Sequence, residues 1–233
     1  MIELNDSIIN ILLQERTIDD KLQVDVKNTI PRYMKSLADQ KDRTKAKDEV
    51  FTPVSIVKKM NDAFDVNYIV DYKDYIDRKV MEATCGEAPF LTTRYDASNG
   101  EYIPHNKRVG LLDRKLQHIP NDVDKVEWIK LAIKALQSTY GYEWQEDSIF
   151  LARKNLLLDV IEYYMDKFNE YPNQDIIEKW ATIISYNIFR MDGVTLCIPE
   201  TDIKSKIMDW NLKEMINFDG SKNMLKEIEQ QLF

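Results

Sequence analysis

Residues 78–91 read RKVMEATCGEAPFL, and this stretch decides the fold that the sequence predicts. Its first part, residues 78–84, is typical of a short strand that carries an acid near its end, and Cys85-Gly86 then turns the chain. Ligands bind where the carboxyl ends of parallel strands meet loops. Gly86 lets backbone approach such a ligand, because glycine has no Cβ. Taken alone, one glycine after a strand is more often a plain turn.

Strand and helix signals alternate along the rest of the chain. The other predicted elements are a helix opened by Thr52 and Pro53, helices at residues 126–138, 145–168 and 173–190, and strands at residues 140–144 and 206–210. Such alternation predicts an α/β fold with a parallel, doubly wound sheet. Residues 1–45 predict an N-terminal helical arm, broken at Pro31.

Residues 46–233 are predicted to form one α/β domain, with an insertion at about residues 95–124. The insertion follows from spacing, because Gly86 and Glu143 lie much further apart than the roughly thirty residues of a simple strand–helix–strand unit.

Composition limits the classes of function. The chain has 32 basic and 40 acidic residues and a net charge of −8, which argues against broad DNA binding, since phosphate affinity comes from clustered Lys and Arg. Two basic runs, residues 41–47 and 105–115, predict either a DNA-contacting stripe or merely solvated charge. Two scattered cysteines, with no leader and no bilayer-length apolar stretch, predict a cytoplasmic protein without membrane contact or zinc site.

Two further segments offer candidate ligand contacts. Glu143 ends the second predicted strand, where a carboxylate can accept both hydrogen bonds of a ribose diol, although an isolated acid is more often a surface residue. Phe51-Thr52-Pro53 is a capped helix start, with Thr52 as the predicted N-cap and Pro53 in the first turn.

The order of these segments resembles a known family. EVFTP, then CG-x-x-x-FL, then YG-x-E-x(8)-AR-x-NLLL is similar to the adenine-N6 DNA methyltransferases of restriction–modification systems. The similarity is greatest to chains named restriction endonuclease subunit M, which are often phage-borne, and it spans roughly residues 45–210. It implies a Rossmann-like class I methyltransferase sheet, S-adenosylmethionine as cofactor and DNA as substrate.

The resemblance also implies roles for single residues. Phe51, Thr52 and Pro53 would pack beside the methionine end of the cofactor. The loop segment would wrap the methionine through Glu82, Cys85, Gly86, Phe90 and Leu91. Glu143 would hold the ribose, and Asp209, at the end of the third predicted strand, would contact the adenine ring of the cofactor.

The chain departs from the family pattern in two places. The family's Asp-Pro is Glu82-Ala83 here, and its second loop glycine is Ala88, preceded by Glu87; both changes are expected to weaken cofactor binding. The catalytic N-P-P-Y or D-P-P-Y is missing, and residues 217–220 are a poor substitute, so no catalytic residue is predicted. The partial sheet then predicts a truncated enzyme, or one that needs a protein partner or a second copy.

Two alternatives remain at this point. A non-catalytic, phage-type interaction protein, an inhibitor or decoy of host defence, would reuse the methyltransferase fold without its chemistry. A metal-dependent nuclease would use the Asp113-x-Lys115 pair after an apolar strand.

Overall fold

The computed structural model describes residues 2–36, 52–66 and 71–219 of the chain. Its helices are α1 (Asp6–Leu12), α2 (Val54–Asp65), α3 (Tyr72–Asp77), α4 (Leu111–Gln117), α5 (Lys125–Gln137), α6 (Glu146–Phe168) and α7 (Gln174–Asn187). Its strands are β1 (Gln14–Glu15), β2 (Asp20–Lys21), β3 (Val80–Glu82), β4 (Thr139–Glu143), β5 (Ile188–Arg190), β6 (Lys206–Asp209) and β7 (Glu214–Asn217). The predicted α/β class is confirmed.

A parallel sheet of order β3-β4-β5 is the centre of the fold. Val80 aligns with Thr139, and Gly141 aligns with Ile188, so the three carboxyl ends lie at one edge. Helices in the two crossovers, which include α5, α6 and α7, pack on the face of the sheet that carries Val80 and Ile188. Crossovers of one hand between strands in sequential order place their helices on the same face.

Helix α6 is the centre of this core. Most of its 23 residues are buried, and the buried residues lie on every side of the helix. This is typical of a helix enclosed by other elements rather than lying at the surface. Its first turn carries Glu146 and Asp147, which suit the positive end of the helix dipole. No helix among the described residues has the combination of length and apolar character that crossing a bilayer requires.

The opposite face of the sheet is covered by an antiparallel hairpin of β6 and β7. Tyr140 and Phe189 of the sheet pack there against Ile207 and against Phe218, which directly follows β7. The prediction that residues 206–210 form the third strand of the parallel sheet is therefore wrong.

The third parallel strand is Ile188–Arg190, which the sequence predicted as the end of a helix. Helix α7 stops at Asn187, whose side-chain amide donates to the carbonyls of Leu136 and Thr139, at 2.8 and 3.0 Å. These bonds fix the chain beside the start of β4, and the residues after Asn187 continue as a strand.

The N-terminal arm is less helical than predicted. Within residues 2–36, the helical segments are the α-helix Asp6–Leu12 and a short 3-10 turn at Arg32–Met34. The short hairpin of β1 and β2 lies between them. The helix ends because the carbonyls of Leu12 and Gln14 accept hydrogen bonds from the Arg153 guanidinium, at 2.6 and 2.8 Å. The arm packs on α6 and α7, and residues 37–45 of the predicted arm lie outside the described part of the chain.

Candidate cofactor site

The loop after β3 has an unusual backbone. Thr84, Gly86 and Ala88 have φ angles of 47°, 52° and 63°, in the left-handed region that favours glycine. Ala88, where the sequence resemblance places a glycine, holds a glycine-like conformation with a buried methyl group. An ideal Cβ on Gly86 would have no atom within 4 Å, so this backbone faces open space that a ligand can enter.

Glu143 joins this loop to the end of β4. Its Oε2 accepts a hydrogen bond from the Gly86 amide at 2.8 Å, and its Oε1 accepts from the amides of Trp144 and Gln145 at 2.7 and 3.1 Å. A carboxylate has about four acceptor positions, so one remains beyond these three bonds. The two segments that sequence analysis singled out are therefore brought into direct contact.

Glu82 lies beneath the same loop. Its Oε1 accepts from the Phe90 amide at 3.3 Å, while its Oε2 is buried with no hydrogen-bond partner among the described residues. Burial raises the pKa of Glu82 well above its usual range, and the Glu143 charge adds to the effect. Buried polar atoms without a partner are rare in folded proteins, and this oxygen makes Glu82 a candidate ligand group of the loop.

Cys85 and Phe90 shape the site without offering reactive groups. Burial raises the pKa of the Cys85 thiol well above its usual range, which leaves it unreactive as a nucleophile. A Cβ on Gly141 of β4 would lie only 3.2 Å from Cys85 Sγ, so glycine relieves a tight contact where loop and strand approach each other. The carbonyl of half-buried Phe90 accepts from the Asn61 amide at 3.0 Å, which attaches α2 to the loop.

The predicted capping of α2 is wrong in detail. Helix α2 begins at Val54 with Pro53 at the N-cap position, and neither Pro53 nor Thr52 provides a side-chain cap. Asp96 does so instead, since its Oδ2 accepts from the Val54 amide at 3.1 Å. The predicted contact Phe51 lies outside the described residues.

Asp209 is remote from this site. Its Oδ1 accepts from the amides of Asn211 and Leu212 in the turn between β6 and β7. The adjoining Asn211 lines a shallow cavity with Lys79 and Ser138, which precede β3 and β4. Asp209 therefore lies near the amino ends of the parallel strands, at the edge opposite Gly86, because the strand that carries it belongs to the hairpin.

Asp192 is the acid that follows the third parallel strand, and sequence analysis missed it. Its Oδ1 accepts from the Val194 amide at 2.8 Å, and its Oδ2 from the Thr195 hydroxyl at 2.9 Å. The neighbouring Gly193 lies against Tyr142 of β4, where a Cβ would come within 3.0 Å of the phenol oxygen. The sequence signal that could have identified it is Met191-Asp192-Gly193, in which an acid and a glycine follow an apolar segment.

Trp144 was also missed. It directly follows Glu143 and is 40% exposed, so its indole lies at the carboxyl edge beside an acid that is fixed by three amides. An exposed aromatic side chain in this position offers a flat surface for a planar ring.

The basic run 105–115 does not form an external stripe. Arg108 and Lys115 are buried, and Arg114 pairs with Asp62 and Asp65 at 2.6 and 2.7 Å. The other run, residues 41–47, lies outside the described part of the chain.

The nuclease alternative fails for the same reason. Asp113 and Lys115 belong to helix α4 rather than to a strand end, and the Lys115 ammonium donates to the carbonyls of Arg78 and Ser138, at 2.5 and 3.1 Å. Asp113 accepts from the Thr93 and Gly110 amides. Both groups are used inside the fold, and no cluster of metal-ligating side chains occurs within residues 2–36, 52–66 and 71–219.

Comparison with protein-family models, curated proteins and solved structures gives no match. The function of this site therefore has to be argued from its own geometry: a glycine backbone facing open space, a fixed carboxylate, a buried acid with an unused oxygen, and an exposed indole.

Proposed function

We propose that the chain binds S-adenosylmethionine and is the cofactor-binding part of an adenine-N6 DNA methyltransferase of restriction–modification type. The observation that carries the proposal is the bond from the Gly86 amide to Glu143 Oε2, at 2.8 Å. It brings together, at one edge of a parallel sheet, the glycine loop and the acid that nucleotide-type cofactors need.

The residues at this edge fit the parts of the cofactor. Glu82, whose buried carboxyl has an unpartnered oxygen, would lie toward the methionine ammonium, and the remaining acceptor position of Glu143 would bind one ribose hydroxyl. Trp144 would stack on the adenine, and Asp192 would accept from its amino group. The cofactor would supply an electrophilic methyl group, while these side chains bind and orient it.

Methyl transfer needs a second element that holds the target adenine. Phe218, the aromatic residue of the substitute segment 217–220, is buried against Tyr142 and Phe189, with ring centroids 6.4 and 5.7 Å apart. It cannot stack on a flipped base without leaving this cluster. The target-binding element must therefore come from outside the described residues.

A partner polypeptide is the source of that element in this proposal. Among the described strands, none pairs with the outer edge of β3 or of β5. An unpaired edge is a template for another strand. A strand from a separate chain that carries the adenine-binding element would pair with β3, beside the cofactor loop.

Titration calorimetry with S-adenosylmethionine tests the cofactor proposal directly. We expect binding by the wild type and at least about tenfold weaker binding by Glu143→Gln, because one amide side chain cannot accept at both oxygen positions. Glu101→Gln, an exposed acid with the same change, is the matched control. Bound cofactor should also quench Trp144 fluorescence, and Trp144→Phe should lose that signal.

A non-catalytic interaction protein is the second candidate. The internal use of Arg108, Arg114 and Lys115, together with the net charge of −8, favours it, because few cations remain in that run for DNA phosphates. Absence of cofactor binding at millimolar concentration, with wild-type folding intact, would reject the methyltransferase proposal and leave this candidate.

A further inference from the structure

Residues 31–36 form a short segment, here called the strap. It contacts the loop after β3 at one end and the start of α6 at the other. The amide of Arg32 donates to Glu87 Oε1 at 2.8 Å, and Glu87 is the residue after Gly86. At the other end, the Lys35 ammonium lies 3.9 Å from Asp147 Oδ2, in the first turn of the helix that follows Glu143. The strap therefore runs from the β3 loop to the segment after β4.

Glu87 is fixed from two further directions. Its Oε2 accepts from the Tyr95 hydroxyl at 2.6 Å, and its backbone carbonyl accepts from the Asn155 amide at 3.0 Å. Asn155 also donates to the Tyr95 hydroxyl at 2.9 Å. Because both Glu87 oxygens are engaged, its charge is directed to the strap and Tyr95, rather than beside the cofactor as the sequence had predicted.

The strap also has a close packing contact. The ring of Tyr33 lies 5.0 Å from that of Tyr95, centroid to centroid. A Cβ on Gly100 would come within 2.1 Å of Tyr33 Cδ2, so this ring occupies the space that any other residue at position 100 would need. The strap therefore packs against the turn at residues 96–100 through the Tyr33 ring.

We propose that the strap closes the cofactor site and that Glu87 is the residue that holds it closed. This inference rests on the proposed function, since the site is taken to bind S-adenosylmethionine. The two ends of the strap bracket Gly86 and Glu143, and the cofactor would leave past it. Glu87, at the variable position between Gly86 and Ala88, then has a role as the anchor of the strap.

The test compares Glu87→Ala with Glu101→Ala, a matched change at an exposed acid nearby. Hydrogen exchange of the Arg32 amide in the cofactor-free protein should accelerate about tenfold in Glu87→Ala, as for loss of a hydrogen bond to a charged group. The dissociation rate of S-adenosylmethionine, measured by stopped-flow fluorescence, should rise by a similar factor. Glu101→Ala should change neither rate, and Glu87→Gln, which keeps one acceptor oxygen, should fall between.

The outcomes separate the two proposals. Cofactor binding by the wild type with an unchanged dissociation rate in Glu87→Ala would overturn the strap and leave the proposed function intact. No cofactor binding by the folded wild type would overturn the proposed function, and the closing role with it. Faster dissociation without faster exchange at Arg32 would also reject the strap, since Glu87 would then act on the cofactor directly.

Discussion

At the scale of single residues, the most unusual feature outside the candidate site is a pair of buried carboxyls. Asp113 of α4 and Asp159 of α6 each have one buried carboxyl oxygen with no hydrogen-bond partner among the described residues. Burial, followed by the neighbouring Asp113, raises the pKa of Asp159 well above its usual range. Arg108 donates to Asp159 Oδ1 at 2.7 Å and also pairs with Glu162. The Arg108 guanidinium pairs with two acids and lies near Asp113 as well. A proton on one of the two aspartates would remove part of the repulsion between them.

Asp159→Asn should make the protein less sensitive to rising pH. A carboxyl with a raised pKa in the folded state stabilises the fold fully below its unfolded pKa, and that stability is lost as pH rises through the folded pKa. The asparagine amide can donate a hydrogen bond, as the protonated carboxyl of Asp159 can, but it does not titrate. In urea unfolding, we expect the stability of Asp159→Asn relative to wild type to increase by at least about 1 kcal/mol between pH 5 and pH 8.

The exposed Asp122→Asn is the control for this experiment, and its stability difference from wild type should stay constant with pH. A parallel pH dependence of the wild type and Asp159→Asn would contradict the raised pKa of Asp159. Arg108, Arg94, Glu162 and Tyr163 also face the pair, and they are unchanged in both proteins.

Residue roles were predictable where the local sequence determines them. Glu143 and Gly86 follow strands with clear signals, and they do lie together. Arg108 and Lys115 were not predictable as buried cations, because the groups that neutralise or accept from them, such as Asp159 and Ser138, are distant in sequence. Charge in a sequence shows composition, whereas burial depends on contacts made by the whole chain.

At the scale of elements, α2 is attached mainly by polar contacts. Only Val57 and Asn61 of its residues are buried. Asn61 donates to the carbonyls of Phe90 and Val109 at 3.0 and 2.9 Å, and Asp96 caps the N-terminus. The ion pairs of Asp62 and Asp65 with Arg114 attach the second half of the helix. A helix with so little buried surface depends on these polar contacts, and we expect it to open more easily than α6.

Asp96→Ala should loosen the start of α2. Loss of an N-cap costs about 0.5–2 kcal/mol, so hydrogen exchange of the amides in the first two turns should accelerate about tenfold. Asp96→Asn, which preserves the cap acceptor, should exchange close to the wild-type rate. Equal protection in Asp96→Ala and wild type would show that another group holds the helix start.

Element prediction succeeded where the pattern was long and failed where it was short. The strong apolar pattern of α6 allowed its bounds to be placed within one residue at its start. Ile188–Arg190 could not be recognised as a strand, because its apolar residues continue the helical spacing of α7. The error moved the predicted third strand to residues 206–210 and the candidate acid from Asp192 to Asp209.

At the scale of the whole molecule, Arg153 connects three parts of the chain. It is fully buried, and its guanidinium donates to the carbonyls of Leu12, Gln14, Ser185 and Ile188. These carbonyls belong to the N-terminal arm, α7 and β5. Burial lowers the pKa of Arg153 to about 10, yet the group remains a cation at neutral pH. The arm is thus part of the core and not an appendage.

Arg153→Met should therefore destabilise the entire protein. The variant keeps most of the side-chain volume but leaves four carbonyls without their donor, and each unsatisfied buried group costs about 1–3 kcal/mol before relaxation. We expect a loss of about 3–5 kcal/mol in urea unfolding, allowing for rearrangement of the arm. Arg16→Met, which removes one bond to Ser185 and a contact with the Tyr186 ring, should cost about 1 kcal/mol or less. Limited proteolysis should cut the arm faster in Arg153→Met; a large loss of stability with an uncut arm would place the role of Arg153 at α7 and β5 alone.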